Sequence, residues 1–325
     1  MSKNSPMVIA LALFVAAGSV APALAQTWPS RPIKLIVPYT PGGSTDVTAR
    51  LVSEQLRIVL GQPIVIENKG GAGANIGAAA AAKSDPDGYN FLMATSTHAT
   101  NVSLYKNLQY DFVRDFIPVS QTSFIPNVLV VTKDVPAASL SEFIAYVKSG
   151  KHTLSYGSSG YGSASHLSGA LFNSMVQGNI LHVPYKGGNL AVQDLIAGQI
   201  QVYFGPLVEV LEFIRSNHVR AFGITTLKRS PLLPEVPAIS ELLPGYEVAL
   251  WNGFVAPAQT SPEVVNKLSQ AIAQVVNEPA VKTKLLEQGS EPTSKTPEEF
   301  KRFIAEEVAK WRELVKLSGA RVETE

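Results

Sequence analysis

Pro38-Tyr39-Thr40-Pro41-Gly42-Gly43-Ser44-Thr45-Asp46 joins an apolar run at 33–37 to a segment where Val47, Leu51, Val52, Leu56 and Val59 recur at helical spacing. The first run reads as a buried strand and the second as one face of a helix. The stretch between them is a strand-to-helix turn whose glycines leave backbone N–H groups unobstructed. A helix N-terminus carries free N–H groups and the positive end of the helix dipole, so it suits an anion. The turn predicts an α/β protein that holds a small anionic molecule.

The same alternation continues outward from this turn. Strands are expected at 63–67, 90–95, 127–132, 154–157, 180–183, 200–204 and 220–225. Helices are expected at 75–83, 140–149 (capped by Ser139 or Ser141), 165–175 and 190–197. This order implies parallel sheets with helices on both faces. The C-terminal part reads as helical, with starts at Ser261-Pro262-Glu263 and Thr296-Pro297-Glu298-Glu299. Phe300, Ile304, Val308, Trp311 and Val315 give the last helix one apolar face, as expected for a helix packed on a sheet. Prolines 231, 234, 237 and 244 mark residues 227–247 as an irregular connection.

The chain has 325 residues, enough for two domains, and one sheet holding all these strands would be large. Hydrophobic residues make up 46% and charged residues 16%, which argues against disorder. A formal net charge of +1 provides no field to attract nucleic acid or an anionic membrane surface. At the N-terminus, Lys3, the apolar stretch 7–17 and Ala23-Leu24-Ala25 fit a signal peptide at 1–25, cleaved after Ala25. The apolar stretch falls short of the roughly 20 residues of a membrane span. The chain is therefore expected to be exported, soluble and periplasmic. It contains no cysteine, and its five histidines (His98, His152, His166, His182, His218) are scattered, so no metal site is expected.

Four turns share one design of strand, glycines with hydroxyl residues, then helix. They lie at 41–46, 70–77, 157–166 and 185–189. In open α/β sheets ligands sit outside the carboxyl ends of strands, where such turns fall. Converging N–H and hydroxyl groups neutralise a carboxylate without a formal positive charge. The alternative at each turn is that glycine only tightens the chain. Enzyme motifs find little support. Gly71-x-Gly73-x-x-x-Gly77 misses the dinucleotide fingerprint by one residue, and both a phosphate-binding loop and a Gly-x-Ser-x-Gly elbow are absent. His98 and His166 read as hydrogen-bonding groups before they read as bases. Asp46 either stabilises its helix dipole or serves the site by accepting a ligand ammonium or fixing the loop. Lys186, the only cation in these turns, either pairs with a ligand carboxylate or lies exposed.

With these residues in hand, the chain resembles the tripartite tricarboxylate transporter receptors, also called the Bug family of periplasmic solute-binding proteins. The resemblance is nearly full length. It rests on the order and spacing of Trp28-Pro29-Ser30-Arg31-Pro32-Ile33, the 37–46 turn and Gly61-Gln62-Pro63-Ile64-Val65-Ile66-Glu67-Asn68-Lys69. Gly71-Ala72-Gly73-Ala74-Asn75-Ile76-Gly77, Asp85-Pro86-Asp87-Gly88-Tyr89 and Tyr156-Gly157-Ser158-Ser159-Gly160 with His166 follow. His182-Val183-Pro184-Tyr185-Lys186-Gly187 and Leu243-Pro244-Gly245-Tyr246 complete it.

The resemblance implies a two-lobed type II periplasmic binding protein fold with the ligand cleft between the lobes. One lobe would hold 26–126 with 252–325 and the other 127–251, with crossings at 127–132 and Trp251-Asn252-Gly253-Phe254. Hinge motion would close the lobes on the ligand. Carried over by motif, the ligand contacts would come from Tyr39, Pro41, Gly42, Gly43, Thr45 and Asp46, then from Ser96, Thr97 and His98. The next group is Ser158, Ser159, Gly160, Ser163 and His166, with Tyr185 from the fourth turn. Relatives commonly carry Asp or Asn after the phenylalanine corresponding to Phe204, whereas this chain has Gly205. That departure removes a polar group, makes room for a bulkier ligand with Phe204, Tyr203 or Trp251 as stacking partners, and predicts weak binding of aspartate and glutamate. The expected function is capture of a small organic carboxylate by a monomer that delivers it to inner-membrane permease subunits, with no cofactor. A sensor of the same fold that signals to a membrane partner is the alternative, and an exported hydrolase or oxidoreductase has the weakest motif support.

Overall fold

A computed structural model describes residues 28–321. The expected signal peptide and its cleavage position lie outside the described residues. The first unit is β1 (Ile33–Val37), α1 (Ser44–Leu60), β2 (Ile64–Asn68), α2 (Asn75–Ala82), β3 (Asn90–Thr95) and α3 (Ser96–Leu104). β1 runs parallel to both β2 and β3. α1 buries Ala49, Val52 and Leu56 against the sheet and stops at Gly61, whose left-handed backbone lets its N–H reach the Arg57 carbonyl.

β4 (Phe116–Val131) ties the molecule together. Its first part pairs antiparallel with β9 (Ala249–Pro257), as far as Pro126 opposite Ala249. From Asn127, opposite Pro206, it pairs instead with β7 (Val202–Pro206), and with β8 (Arg220–Ile224) on its other side. One strand thus belongs to two sheets. The first sheet is completed by β9 against β3, and by β10 (Glu291–Pro292) against β4. In the second, β5 (Ser155–Ser158) lies between β6 (Leu181–Pro184) and β7, parallel to both. α4 (Leu140–Lys148), α5 (Ala164–Val176), α6 (Gly188–Ile196) and α7 (Leu207–Arg215) cover the second sheet. α8 (Pro262–Asn277) and α9 (Pro279–Glu287) lie on the first.

The sheets are therefore mixed where parallel sheets were expected. The outer strands of each half are parallel, and the antiparallel pairs lie where the chain passes between halves. β4 also begins well before the expected 127. Pro118 and Pro126 demote its first part as a strand on sequence, but the register shifts near Pro118 and Gln121 mark bulges that relieve a regular ladder.

Three apolar clusters result. One joins β1 and β3 to α1 and α8, a second joins the end of β4 and β7 to α6 and α7, and the largest spans both halves. α10 (Pro297–Ser318) seals the largest, reaching α3 in the first half and α5 in the second. Thr296 and Glu299 form a capping box at its start, as the Thr-Pro-Glu-Glu sequence predicts. Among the described residues, no helix is long and apolar enough to cross a membrane.

Candidate ligand cleft

α1 begins without a capping side chain, because its N-cap is Gly43. Its first N–H groups consequently need partners from elsewhere. The Ser44 N–H donates to Oε1 of Glu209 at 2.7 Å, across from the other half of the molecule. Glu209 stands in the first turn of α7, and its Oε2 accepts from the buried Tyr203 hydroxyl at 2.7 Å. Burial raises the pKa of Glu209, against hydrogen bonds from Tyr203 and Ser44 that lower it. Burial likewise raises that of Tyr203.

These groups enclose a cavity of about 20 Å³ between the two halves. From the first half it is lined by Tyr39, Gly43, Ser44, Thr45, Thr97 and Leu250. From the second come Ser159, Ser163, Ala164 and Ser165 of the β5–α5 turn, then Gly188, Pro206 and Glu209. That volume accommodates about one water molecule, so a larger occupant requires the halves to separate or side chains to move.

The walls are rich in neutral donors and acceptors. The Tyr39 hydroxyl and Thr97 Oγ1 lie 2.6 Å apart, and Thr45 Oγ1 donates to Asn252 Oδ1 at 3.0 Å. The Ser159 N–H donates to Ser165 Oγ, which stands 3.0 Å from Ser163 Oγ. The Ser163 hydroxyl also caps α5 at the His166 N–H. Among the described residues there is no group of three or more His, Cys, Asp or Glu side chains that would hold a metal ion.

Of the expected contacts, Tyr39, Gly43, Thr45, Thr97, Ser159 and Ser163 line the cavity. Pro41 and Gly42 are exposed at its rim. Asp46 is buried beneath the loop, where its carboxylate accepts from the Gly42 N–H, from Arg50 and from Asn68. Ser96 is buried at the start of α3. His98 completes the α3 capping box, its Nδ1 accepting from the Thr95 N–H, and its ring stacks on Phe112.

Ser158 pairs through Oγ with His182 Nε2 at 2.6 Å, and Gly160 closes the same turn by donating to that oxygen. The His166 ring stacks on His182 with centroids 4.1 Å apart. The Tyr185 hydroxyl donates to Asp194. Phe204 lies in the core against Phe172 and Tyr156, and Trp251 lies against Phe300 and Phe303. The last two follow from strand alternation: Tyr203 and Leu250 face the cleft, so the next residue in each strand faces away. Gly205 is enforced by packing, since a Cβ there would overlap the Tyr203 ring.

Ser44, Ser165 and Gly188 fall within the glycine turns that the sequence marks, and Pro206 follows Gly205, but sequence reasoning did not single out Leu250 or Glu209. The apolar spacing of Leu207, Val210 and Leu211 would have revealed α7 and placed Glu209 in its first turn beside the turn after β7.

A mixed α/β fold with one strand shared between two sheets, and a cleft of N–H and hydroxyl groups between them, defines the periplasmic binding protein class. The chain matches the tripartite tricarboxylate transporter family receptor over residues 48–320 and belongs to that family. It is similar to protein BugT of Bordetella pertussis, at 37% identity over 97% of this chain and 98% of that protein. Two similar solved structures have small acids in their descriptions. One, from R. palustris with adipate, has a TM-score of 0.88 at 37% identity, covering 91% of this chain and 100% of that one. The other, MatC from Rhodopseudomonas palustris with bound malate, has a TM-score of 0.85 at 33% identity, covering 89% and 100%. The periplasmic binding protein BugD is similar at a TM-score of 0.87 and 34% identity, covering 90% and 99%.

Proposed function

We propose that this chain is an exported receptor that captures a small organic carboxylate between its lobes and presents it to the membrane subunits of a tripartite tricarboxylate-type transporter. The observation that carries this reading is the convergence on one interlobe cavity of the α1 N-terminus, whose Gly43 N-cap has no side chain, and the Ser159, Ser163 and Ser165 hydroxyls. Such groups bind a carboxylate by hydrogen bonds and helix dipole without a paired cation. Ser44, Thr45, Tyr39 and Thr97 would hold the ligand from the first lobe and the serines from the second. Ligand is bound and released unchanged by a monomer.

The lobes we propose are 26–126 with 252–325, and 127–251. The change of partners in β4 at Asn127 supports the first boundary, and the pairing of Pro126 with Ala249 supports a second crossing within a few residues of 251. Cleavage after Ala25 would release the receptor into the periplasm.

The test is purification of the mature chain without denaturation, native mass spectrometry of any retained molecule, and calorimetry with a panel of carboxylates that includes adipate and malate. A carboxylate recovered unchanged and raising the melting temperature is the expected result. Turnover of the ligand, or no response to any carboxylate, would overturn the reading.

A further inference from the structure

Glu209 is the only acidic or basic side chain among the cavity-lining residues, tyrosine aside. We propose that it makes the cleft select carboxylates that also carry a cationic or N–H donor group, so that an aminocarboxylate is preferred to a plain dicarboxylate. This inference rests on the carboxylate-receptor reading and names the ligand class within it.

The partners of the Glu209 carboxylate, the Ser44 N–H and hydroxyl and the Tyr203 hydroxyl, are all neutral. Glu209 takes part in none of the ion pairs found among the described residues. A carboxylate has acceptor capacity for about four hydrogen bonds, and three are used. It therefore brings an uncompensated acceptor to the cleft wall. A ligand ammonium or amide N–H placed there gains a charge-assisted hydrogen bond, whereas a second ligand carboxylate meets a like charge in a desolvated site.

The same half of the molecule supplies what the ligand's own carboxylate needs. The hydroxyls of Ser159, Ser163 and Ser165 lie together at the start of α5, with no carboxylate beside them in the cavity lining except Glu209 itself. The cleft thus sets neutral hydroxyls beside an acid, with the Tyr203 hydroxyl standing between Glu209 and the Ser159 and Ser165 side chains. Gly205 belongs to the same device. It carries no side chain of its own, and the Tyr203 ring that occupies the space beside it orients Glu209. Gly205 alone predicts weak binding of amino acids; the Tyr203–Glu209 pair reverses that expectation.

Two matched pairs of probes test the proposal by calorimetry at pH 7 on the mature chain: 6-aminohexanoate against adipate, and aspartate against malate. Each pair exchanges one anionic or hydroxyl group for an amine on a similar skeleton. The expected result is that at least one amino probe binds about tenfold or more tighter than its partner. Glu209→Gln, which keeps the shape and a carbonyl acceptor, should shrink that ratio to about unity. Tighter binding of adipate and malate than of their amino partners, or a preference unchanged in Glu209→Gln, overturns the inference and leaves the receptor reading intact. Silence toward all four probes, together with no retained carboxylate in the native mass spectrum, overturns both. The wild-type comparison stands alone if the variant proves unstable.

Discussion

A methyl group built on Gly73 would stand 2.5 Å from the carbonyl oxygen of Tyr161 in the facing half of the molecule. The second and third glycine turns therefore meet backbone to backbone across the cleft. Gly73 has φ near +60°, but its neighbours Ala72 and Ala74 also adopt positive φ, so an alanine is tolerated locally at about 1 kcal/mol. The obstacles to Gly73→Ala are the Tyr105 hydroxyl of its own half, 2.6 Å from the added methyl but the far end of a side chain that can swing aside, and the fixed Tyr161 backbone of the facing half. The substitution should weaken ligand binding about tenfold or more, with little loss of stability. Small-angle scattering should show a larger radius in Gly73→Ala than in wild type when both are saturated with ligand. Equal radii and equal affinities would show that the seam does not limit closure.

Asp46 bears on the site through the loop above it. Burial works to raise its pKa, but hydrogen bonds from Arg50, the Gly42 N–H and Asn68 outweigh that, and the net pKa lies below the usual carboxylate value. Its stabilising contribution is present above the unfolded value of about 3.9 and is lost as pH falls through the lower folded value. Asp46→Ala should cost about 2 kcal/mol in urea denaturation at pH 7, because four hydrogen bonds to a buried charge disappear. Arg50→Ala should cost less than 1 kcal/mol, since the guanidinium is half exposed. Affinity should fall in Asp46→Ala as the Gly42–Gly43 backbone loses its anchor. Unchanged stability would show that the loop holds its shape without the acid.

Much of this architecture is legible in the chain, for reasons that differ by element. α1 and α10 announce themselves because their apolar spacing and their caps or first-turn acids agree. The 41–46 turn is readable as a helix start, and Gly43 as an N-cap without a side chain. What fills that cap is not readable, because Glu209 is distant in sequence and its helix is short. β4 is half legible, since Pro118 and Pro126 contradict a strand until the bulge beside Pro118 and the change of partners just after Pro126 are seen. The glycine turns read as anion cradles, yet Gly73 shows a second demand on glycine, the close approach of two backbones. No local pattern separates those two demands.

Trp251 illustrates the alternation that sequence position alone obscures. Its neighbour Leu250 lines the cavity, while Trp251 is fully buried with its ring 5.7 Å from Phe300 and 5.6 Å from Phe303. Its indole N–H donates to Glu307 Oε2 at 2.8 Å, and Trp311 donates to the same oxygen at 2.6 Å. Trp251→Ala should therefore cost about 3–5 kcal/mol of stability by opening the cluster beneath α10. Ligand affinity, measured where the variant remains folded, should change by less than about threefold, roughly 0.7 kcal/mol. A large loss of affinity with unchanged stability would place the indole in the ligand site.

The stacked pair His166 and His182, with His98 in the other half, gives the protein a pH signature above the range where carboxylates titrate. Burial lowers the pKa of His98 and of His166 to about 4. Burial, and then the neighbouring His166, lower that of His182 to about 2. An unfolded histidine titrates near 6.5, so the unfolded chain binds more protons than the folded one below that pH. Stability is complete above about pH 6.5 and falls as pH drops toward 4, by up to about 1.4 kcal/mol per pH unit for each histidine. Most carboxylates remain ionised between pH 6.5 and 5, so that window isolates the histidines. Urea denaturation at pH 7.0 and 5.0 should show a clear loss in wild type. The double variant His166→Asn with His182→Asn should lose markedly less over the same interval, even if it is less stable at pH 7.0. Parallel losses in the two proteins would assign the pH dependence to other groups.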